Sequence, residues 1–201
     1  MAVIQEIANE LDSRERTLRR AVNQGTVRSR RLGPRRLQIS EEERSYLRSH
    51  WKLVVRLREL LRTERKVSFA VLHGSVARGD DGPGSDIDLL VGFRSGAEIR
   101  NRRRLARKLR LELGREVDIA DAEDVEANSP LLLSRVVEEG RVLIDRDGTW
   151  VRRRNERRAI RARGERAYRR EMAEAARAIA ELTEPACPSR VPASSPAGVS
   201  E

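Results

Sequence analysis

The chain has 201 residues and a formal net charge of +10, a length that suits one medium domain or two small ones. Hydrophobic residues make up 38% and aromatic residues 3% of the chain, so a core must be built mainly from Leu, Val, Ile and Ala. A single cysteine, Cys187, and two histidines exclude a disulfide framework, a zinc centre and a histidine-based metal site. No stretch approaches a membrane span and the N-terminus is not a basic signal region, so we expect a cytoplasmic protein without membrane contact.

The positive charge is concentrated at the two ends of the chain. Residues 1–40 hold nine arginines and four acids, and residues 151–182 hold eleven arginines and five acids. Residues 67–147 hold thirteen basic and sixteen acidic residues, so the middle of the chain is slightly acidic. Basic flanks favour nucleic acid or an acidic protein as partner.

The first forty residues have the pattern of two helices and a hairpin. Apolar residues at helical spacing predict a short helix over Ile4–Leu11. Asp12–Ser13 predicts the N-cap of a second helix, with Arg14–Val22 as its body and Gly25 as its end. Two short runs on either side of Gly33–Pro34 predict a hairpin.

This order of elements resembles the winged helix-turn-helix heads of excisionase-like and MerR-like proteins, and the resemblance implies binding to duplex DNA. In such heads the second helix enters the major groove and the wing touches the backbone. The candidate DNA-binding residues are Arg16, Arg19, Arg20, Asn23, Arg30, Arg31, Arg35 and Arg36. Of these, Arg19, Arg20 and Asn23 would read bases, and the arginines of the hairpin would neutralise phosphates. The alternative is a solvated arginine-rich helical hairpin used for packing.

A long helix is predicted after the hairpin. Ser40 followed by three glutamates forms a capping box, and apolar residues recur at helical spacing up to Arg62. We expect this helix, residues 41–62, to join the head to the next domain without a flexible linker.

The stretch from Val67 to Phe93 contains the residues with the clearest chemistry. An apolar run predicts a buried strand up to Leu72, a Gly74–Ser75 turn follows, and Asp86–Val91 predicts a second strand. Side chains alternate along a strand, so Asp86 and Asp88 project from the same face. Two neighbouring carboxylates predict a divalent cation, and Mg²⁺ commonly binds protein carboxylates together with substrate phosphates. Gly74 permits close approach of a ligand, and the Ser75 hydroxyl with nearby N–H groups can hold phosphate oxygens.

Gly-Ser, ten residues and Asp-x-Asp, within GSVARG and SDIDLLV, resemble the signature of nucleotidyltransferases of the DNA polymerase beta superfamily, and most closely the minimal nucleotidyltransferases, or MNT proteins. The resemblance implies a third carboxylate on a later strand, for which Asp118 fits. It also implies two Mg²⁺ ions on Asp86, Asp88 and Asp118, and ATP as substrate. The predicted nucleotide-binding residues are Gly74, Ser75, Arg78 and Ser85. The alternative is a surface turn followed by an ordinary edge strand.

Many MNT proteins are antitoxins that adenylylate a HEPN-type toxin, so the resemblance implies AMP transfer to such a partner, with the head regulating transcription. Most MNT proteins lack a DNA-binding head, so this chain departs from the pattern. Two alternatives stay open: a DNA-binding regulator that senses nucleotides, and a nucleotidyltransferase acting on small molecules such as antibiotics. The chain could also form a homo-oligomer.

The remaining elements complete an α+β fold, in which a winged helix-turn-helix precedes a small mixed-sheet nucleotidyltransferase domain and a C-terminal helix. The sequence predicts a helix over Ala97–Leu113, a strand over Glu116–Ala120, a helix over Leu131–Glu139 capped by Ser129, and a strand over Arg141–Ile144. One long helix is predicted from Trp150 to Leu182, with an apolar stripe that docks on its own domain or on another helix. The expected segments are 1–40 (head), 41–62 (connecting helix), 63–147 (nucleotidyltransferase domain), 148–184 (C-terminal helix) and 185–201 (disordered tail).

Overall fold

The computed structural model describes residues 4–33, 37–94 and 98–183, with the side chains at 98–99 and 181–183 left out. Met1–Ala167 form one compact unit and Tyr168–Glu201 a second. The predictions for Arg35, Arg36 and the tail from residue 185 lie outside the described residues.

Two helices and a two-stranded antiparallel hairpin begin the chain, in the predicted order: α1 (Ile4–Glu10), α2 (Glu15–Gln24), β1 (Arg30–Arg31) and β2 (Leu37–Gln38). The predicted cap of α2 is wrong. The N-cap residue is Arg14, without a side-chain hydrogen bond, because Asp12 adopts a φ of 47° and closes the turn that ends α1. Aspartate is one of the few residues that enter this left-handed region readily. Gly25, at φ 80°, ends α2 as predicted.

Helix α3 covers Glu41–Thr63 and matches the predicted connecting helix to within one residue. The Ser40 hydroxyl accepts a hydrogen bond from the Glu43 amide at 3.2 Å, as the capping box predicts. Its inward side is apolar and includes the buried side chains of Leu47, Trp51 and Leu57.

A mixed four-stranded sheet forms the centre of the first unit. Its strand order is β5-β4-β3-β6, and β3 runs antiparallel to β4 and β6, whereas β4 and β5 are parallel. The strands are β3 (Val67–His73), β4 (Ile87–Phe93), β5 (Val117–Asp121) and β6 (Arg141–Asp145). Strand β4 begins one residue later than predicted, so Asp86 precedes the strand.

Several helices cover or connect these strands: α4 (Gly74–Arg78), α5 (Glu98–Leu113), α6 (Ala122–Asn128) and α7 (Pro130–Glu139). The Gly74–Ser75 segment opens a short helix, so the prediction of a simple turn is wrong there. The sequence analysis did not predict α6, which is capped by the Asp121 carboxylate through the amides of Glu123 and Asp124. Ser129 precedes α7 as predicted, but its side chain makes no capping bond.

The sheet has a buried apolar layer on each face. One cluster joins Ile7 and Leu18 of the amino-terminal helices to Leu57 of α3 and to Leu89 and Ile119 of the sheet. Amino-terminal segment, α3 and sheet therefore share one core. The other cluster packs α6, α7 and Trp150 against alternate residues of β3 and β4, including Phe69 and Leu90.

The single long C-terminal helix predicted from the sequence is divided in two. Helix α8 covers Thr149–Asn155 and α9 covers Arg157–Thr183, with Glu156 closing the end of α8 through backbone bonds to Arg152 and Arg153. In the second unit, Tyr168, Met172 and Ile179 of the predicted stripe are exposed. Within the described residues, no helix combines the length and apolar character that crossing a membrane requires.

Candidate active site

The three predicted aspartates lie at the same end of the sheet. Asp88 on β4 is the register partner of His73 on β3 and of Asp118 on β5, and Asp86 lies two residues before it. Burial raises the pKa of Asp88 above its usual value of 3.8, and the charges of Asp118 and Asp86 raise it further. We call Asp86, Asp88 and Asp118 the aspartate cluster; its members repel one another in the absence of a cation.

Gly74 at the start of α4 packs directly against Asp88. It adopts a φ of 72°, and a Cβ atom at this position would overlap the Asp88 Oδ2 oxygen. Only glycine combines this backbone conformation with so close an approach. Gly74, the first residue of α4, is thus in contact with the aspartate cluster.

The other predicted nucleotide-binding residues lie on or after α4. Ser75 is half-buried. The Arg78 guanidinium forms ion pairs with Asp80 at 3.1 Å and Glu139 at 3.3 Å. The Ser85 hydroxyl accepts a hydrogen bond from the Gly82 amide at 2.9 Å, which closes the loop before β4. Arg78 and Ser85 therefore already have intramolecular partners, and their contact with nucleotide stays a prediction.

The chemistry of the aspartate cluster fits hard divalent cations such as Mg²⁺, which take carboxylate oxygens as ligands. Burial first, and the charges of Asp118 and Asp86 second, raise the pKa of Asp88, and a cation would compensate that negative charge. Among the described residues, however, no three His, Cys, Asp or Glu side chains are arranged as a ready ligand set. Asp88 and Asp118 are adjacent in register, the charges of Asp118 and Asp86 both act on Asp88, and cation binding requires the three side chains to converge.

Comparison with known protein families gives a match for the part of the chain that contains the aspartate cluster. Residues 56–149 match the family described as polymerase beta, nucleotidyltransferase. The chain carries a nucleotidyltransferase domain. The match covers slightly less than half of the chain and includes the aspartate cluster and the whole of α4.

Similar solved structures come from toxin–antitoxin systems, at low overall similarity. A toxin–antitoxin structure with AMP-PNP is 25% identical with a TM-score of 0.45, covering 64% of this chain and 97% of that one. A tri-AMPylated Shewanella oneidensis HEPN toxin in complex with MNT antitoxin is 22% identical with a TM-score of 0.43, covering 66% of this chain and 98% of that one. The structure of the MntA–HepT toxin–antitoxin is 22% identical with a TM-score of 0.43, covering 66% of this chain and 97% of that one. No curated protein matches the chain.

His73 lies beside the aspartate cluster and was not singled out from the sequence. It is the N-cap residue of α4 and the register partner of Asp88. Its buried Nε2 atom has no hydrogen-bond partner in the described part of the chain. Burial lowers the pKa of His73, against the opposing charge of Asp118, so the ring is neutral near pH 7. Its position directly before Gly74 was the signal that could have drawn attention to it.

The loop between α4 and β4 is held to the body of the domain by long-range polar contacts. The carboxylate of Asp81 lies 2.6 Å from His50 Nε2 on α3 and 3.2 Å from an Arg115 nitrogen. Arg115 also donates to the Ser85 carbonyl at 2.6 Å. Burial alone would raise the pKa of Asp81, but the hydrogen bonds and charges of His50 and Arg115 lower it below 3.8.

A buried ion pair fixes the other end of α4. Arg141 on β6 is 1% exposed and Glu43 on α3 is 4% exposed, and the two form a bidentate pair at 2.6 and 2.8 Å. Arg141 also donates to the Ala77 carbonyl of α4 at 2.6 Å, and its guanidinium lies 3.4 Å from the centre of the Tyr46 ring. The pair thus connects α3, α4 and β6.

The described DNA-binding candidates are at the surface of the amino-terminal segment. Arg16, Arg20 and Asn23 are exposed on α2, and Arg30 and Arg31 are exposed on β1. Arg19 is also exposed, and it forms an ion pair with Glu15 at 2.5 Å.

Proposed function

We propose that the chain is an Mg²⁺-dependent nucleotidyltransferase that transfers AMP from ATP to a hydroxyl group of a partner protein. The observation that carries this proposal is the packing of Asp88 against Gly74 and opposite Asp118. A cluster of carboxylates and a glycine turn at the start of a helix are thereby neighbours. This is the pairing of metal-binding and phosphate-binding groups that nucleotidyl transfer needs.

The residues of the site have distinct roles in this proposal. Gly74 lets the triphosphate approach the backbone, and the Ser75 hydroxyl with the first N–H groups of α4 binds its β and γ oxygens. Asp86, Asp88 and Asp118 would hold two Mg²⁺ ions, which neutralise the triphosphate and acidify the acceptor hydroxyl. Asp118 is the most exposed strand carboxylate of the cluster and is placed to accept the proton of that hydroxyl.

The bonds that change follow from this arrangement. The acceptor oxygen forms a bond to the α-phosphorus, and the bond from that phosphorus to the oxygen bridging it to the β-phosphorus breaks. Pyrophosphate leaves with the bonding electron pair, and the acceptor proton passes to Asp118. The product carries AMP through a phosphodiester, which adds a negative charge to the partner.

The acceptor in this proposal is a HEPN-type toxin, and the chain is its antitoxin in the cytoplasm. The support is the likeness of GSVARG and SDIDLLV to the MNT antitoxins, carried by residues that lie together in the site. The new charge on a toxin hydroxyl would disable it. The alternative acceptor is a small molecule such as an antibiotic, in which case the AMP is attached to that molecule and not to a protein.

The test is a transfer assay with ATP labelled at the α-phosphate, and with γ-labelled ATP as the matched control. We expect Mg²⁺-dependent labelling of a helical HEPN partner by the α-label and none by the γ-label. Label on an aminoglycoside but not on protein would favour the small-molecule alternative. The absence of any transfer, with nucleotide binding intact, would favour a nucleotide-sensing regulator.

A second activity, binding of duplex DNA by residues 1–40, is proposed from the exposed basic face of α2 and β1. If about five phosphates are neutralised, the slope of log affinity against log salt is about −4 to −5. A gel shift at increasing salt measures it, and Arg20→Ala should weaken binding and relax sequence preference. A chain that binds no duplex at low salt would contradict this proposal.

A further inference from the structure

A groove of about 1160 Å³ lies between the residues that follow α2, the end of α7, and the junction of α8 and α9. Basic side chains dominate its lining: Arg28, Arg154, Arg157, Arg158 and Arg161. Glu138 is the one acidic residue among those that line it, so their formal charge is five positive and one negative. We call this feature the arginine groove. Its charge fits a ligand with several negative groups.

Three of the five guanidinium groups are available to a ligand. Arg154, Arg157 and Arg158 are exposed, and their guanidinium groups make no hydrogen bond or ion pair within the described part of the chain. In contrast, Arg161 pairs with Glu165 at 2.8 Å and lies 3.6 Å from Glu138, and Arg28 donates to the Glu139 carbonyl at 2.6 Å. An anion would therefore meet unpaired charge at the junction of α8 and α9.

The lining favours recognition of phosphates over recognition of bases. No aromatic side chain is among the lining residues, so the groove offers no platform on which bases could stack. Guanidinium groups bind phosphate oxygens through paired N–H donors. The three unpaired guanidinium groups, those of Arg154, Arg157 and Arg158, can contact about three phosphates, one each.

The arginine groove lies beside the segment that is proposed to contact duplex DNA. Gly25, Arg28 and Ser29 line it, and the chain continues directly into Arg30 and Arg31 of β1. The lining therefore includes residues of the segment that connects α2 to β1, the two elements proposed to contact duplex DNA. The Arg154 guanidinium lies close above Gly25, so it reaches the end of α2 itself.

We propose that the arginine groove binds the phosphate backbone of duplex DNA beside the segment contacted by α2 and the hairpin. The inference rests on the DNA-binding role proposed for residues 1–40. It adds a second contact, made by residues that follow the nucleotidyltransferase domain in sequence.

The test compares two triple variants of the full chain with equal change of charge. Arg154→Gln/Arg157→Gln/Arg158→Gln removes the unpaired charge of the groove, and Arg163→Gln/Arg166→Gln/Arg170→Gln removes three exposed charges of α9 that do not line it. Binding of a duplex of about 25 base pairs is measured from low to high salt. We expect the groove triple to bind about tenfold or more weakly, with a salt slope reduced by about 2.5, since each phosphate contact contributes about 0.9. The control triple should retain the wild-type slope.

Several outcomes would overturn the inference, and they are distinguishable from failure of the DNA-binding role itself. If the wild-type chain binds no duplex, residues 1–40 are not a DNA-binding head and the inference falls with that role. If Arg16→Gln/Arg20→Gln weakens binding but the groove triple does not, the head binds DNA and the groove does not. If polyglutamate or single-stranded RNA competes as well as the duplex at equal charge, the groove is not a site for duplex DNA. Melting curves within about 2 °C of wild type verify that both triples fold.

Discussion

Two charged clusters contact the short helix α4. One contains only like charges, and the other is a balanced ion pair. At its start, Gly74 packs against the aspartate cluster, where burial and like charges raise the pKa of Asp88. At its end, the Ala77 carbonyl accepts from Arg141, which is fully paired with Glu43. A cluster that is destabilised by its own charges and needs a cation is typical of function, whereas a satisfied buried pair is typical of structure.

The paired contacts explain how the aspartate cluster is held in place. Repelling carboxylates spread apart unless the elements that carry them are rigid. Strands β4 and β5 fix Asp88 and Asp118 by their register, and the buried pair and the His50–Asp81–Arg115 contacts fix α4 and the loop that follows it. The buried pair and the loop contacts thus position the elements that carry the aspartate cluster.

The largest expected effect on stability comes from breaking the buried pair. Arg141→Met leaves the Glu43 carboxylate buried without its partner, which should lower the free energy of unfolding by about 3–5 kcal/mol. Urea unfolding at pH 7 measures it. The double variant Arg141→Met/Glu43→Leu removes both charges and should regain much of the loss. A double variant as unstable as the sum of the two single variants would contradict the role of the pair.

Gly74→Ala should reduce transfer because it disturbs the packing against Asp88, in addition to the backbone strain that it introduces. The matched control is Gly114→Ala, because Gly114 also has a positive φ, 64°, but nothing lies within 4 Å of an added Cβ. Both changes carry the left-handed cost of about 1–2 kcal/mol. Only Gly74→Ala should also displace Asp88 and reduce transfer, by on the order of a hundredfold. Equal loss of transfer in the two variants would contradict the assignment of Gly74 to the site.

The smallest effect concerns pH and Asp81. The pKa of Asp81 is lowered below 3.8 in the folded state, so its carboxylate contributes stability above about pH 4, which is lost as the pH falls through the lowered pKa. Asp81→Asn should therefore cost about 1–2 kcal/mol at pH 7 and progressively less below pH 4. The control is Asp80→Asn, which removes an exposed pair and should cost under about 1 kcal/mol at either pH. Urea unfolding at pH 3, 4 and 7 provides the comparison, and a cost for Asp81→Asn independent of pH would contradict it.

Local patterns in the sequence predicted most elements of the fold. The Ser40 capping box and the apolar spacing after it predicted α3, and the apolar runs near Val67, Ile87 and Val142 predicted strands. The failures have local physical causes. Asp12 entered a left-handed turn instead of capping α2, the Asp121 carboxylate began a helix where none was predicted, and Glu156 closed α8 inside an apparently continuous helical pattern.

The candidate site was harder to predict from the sequence than the fold was. Alternation along a strand could place Asp86 and Asp88 on one face, and the motif resemblance proposed Asp118. The contacts of Arg141 with Glu43, and of Asp81 with His50, join residues far apart in sequence. No local pattern pairs such residues, because their partners are chosen by the packing of α3 against the sheet. His73 was overlooked because only its position directly before Gly74 distinguishes it from any histidine at a strand end.

Cation binding by the aspartate cluster is tested with Asp88→Asn, which is assayed for both transfer and stability, with exposed Asp124→Asn as control. If Asp88 belongs to a cation-binding aspartate cluster, the variant loses transfer of the α-label from ATP by about a thousandfold or more, roughly 4 kcal/mol of barrier. Without Mg²⁺ it is as stable as wild type or slightly more so, by about 0.5 kcal/mol, because repulsion is relieved. An Asp88→Asn protein that transfers AMP at the wild-type rate, or that is markedly less stable without Mg²⁺, would contradict the account.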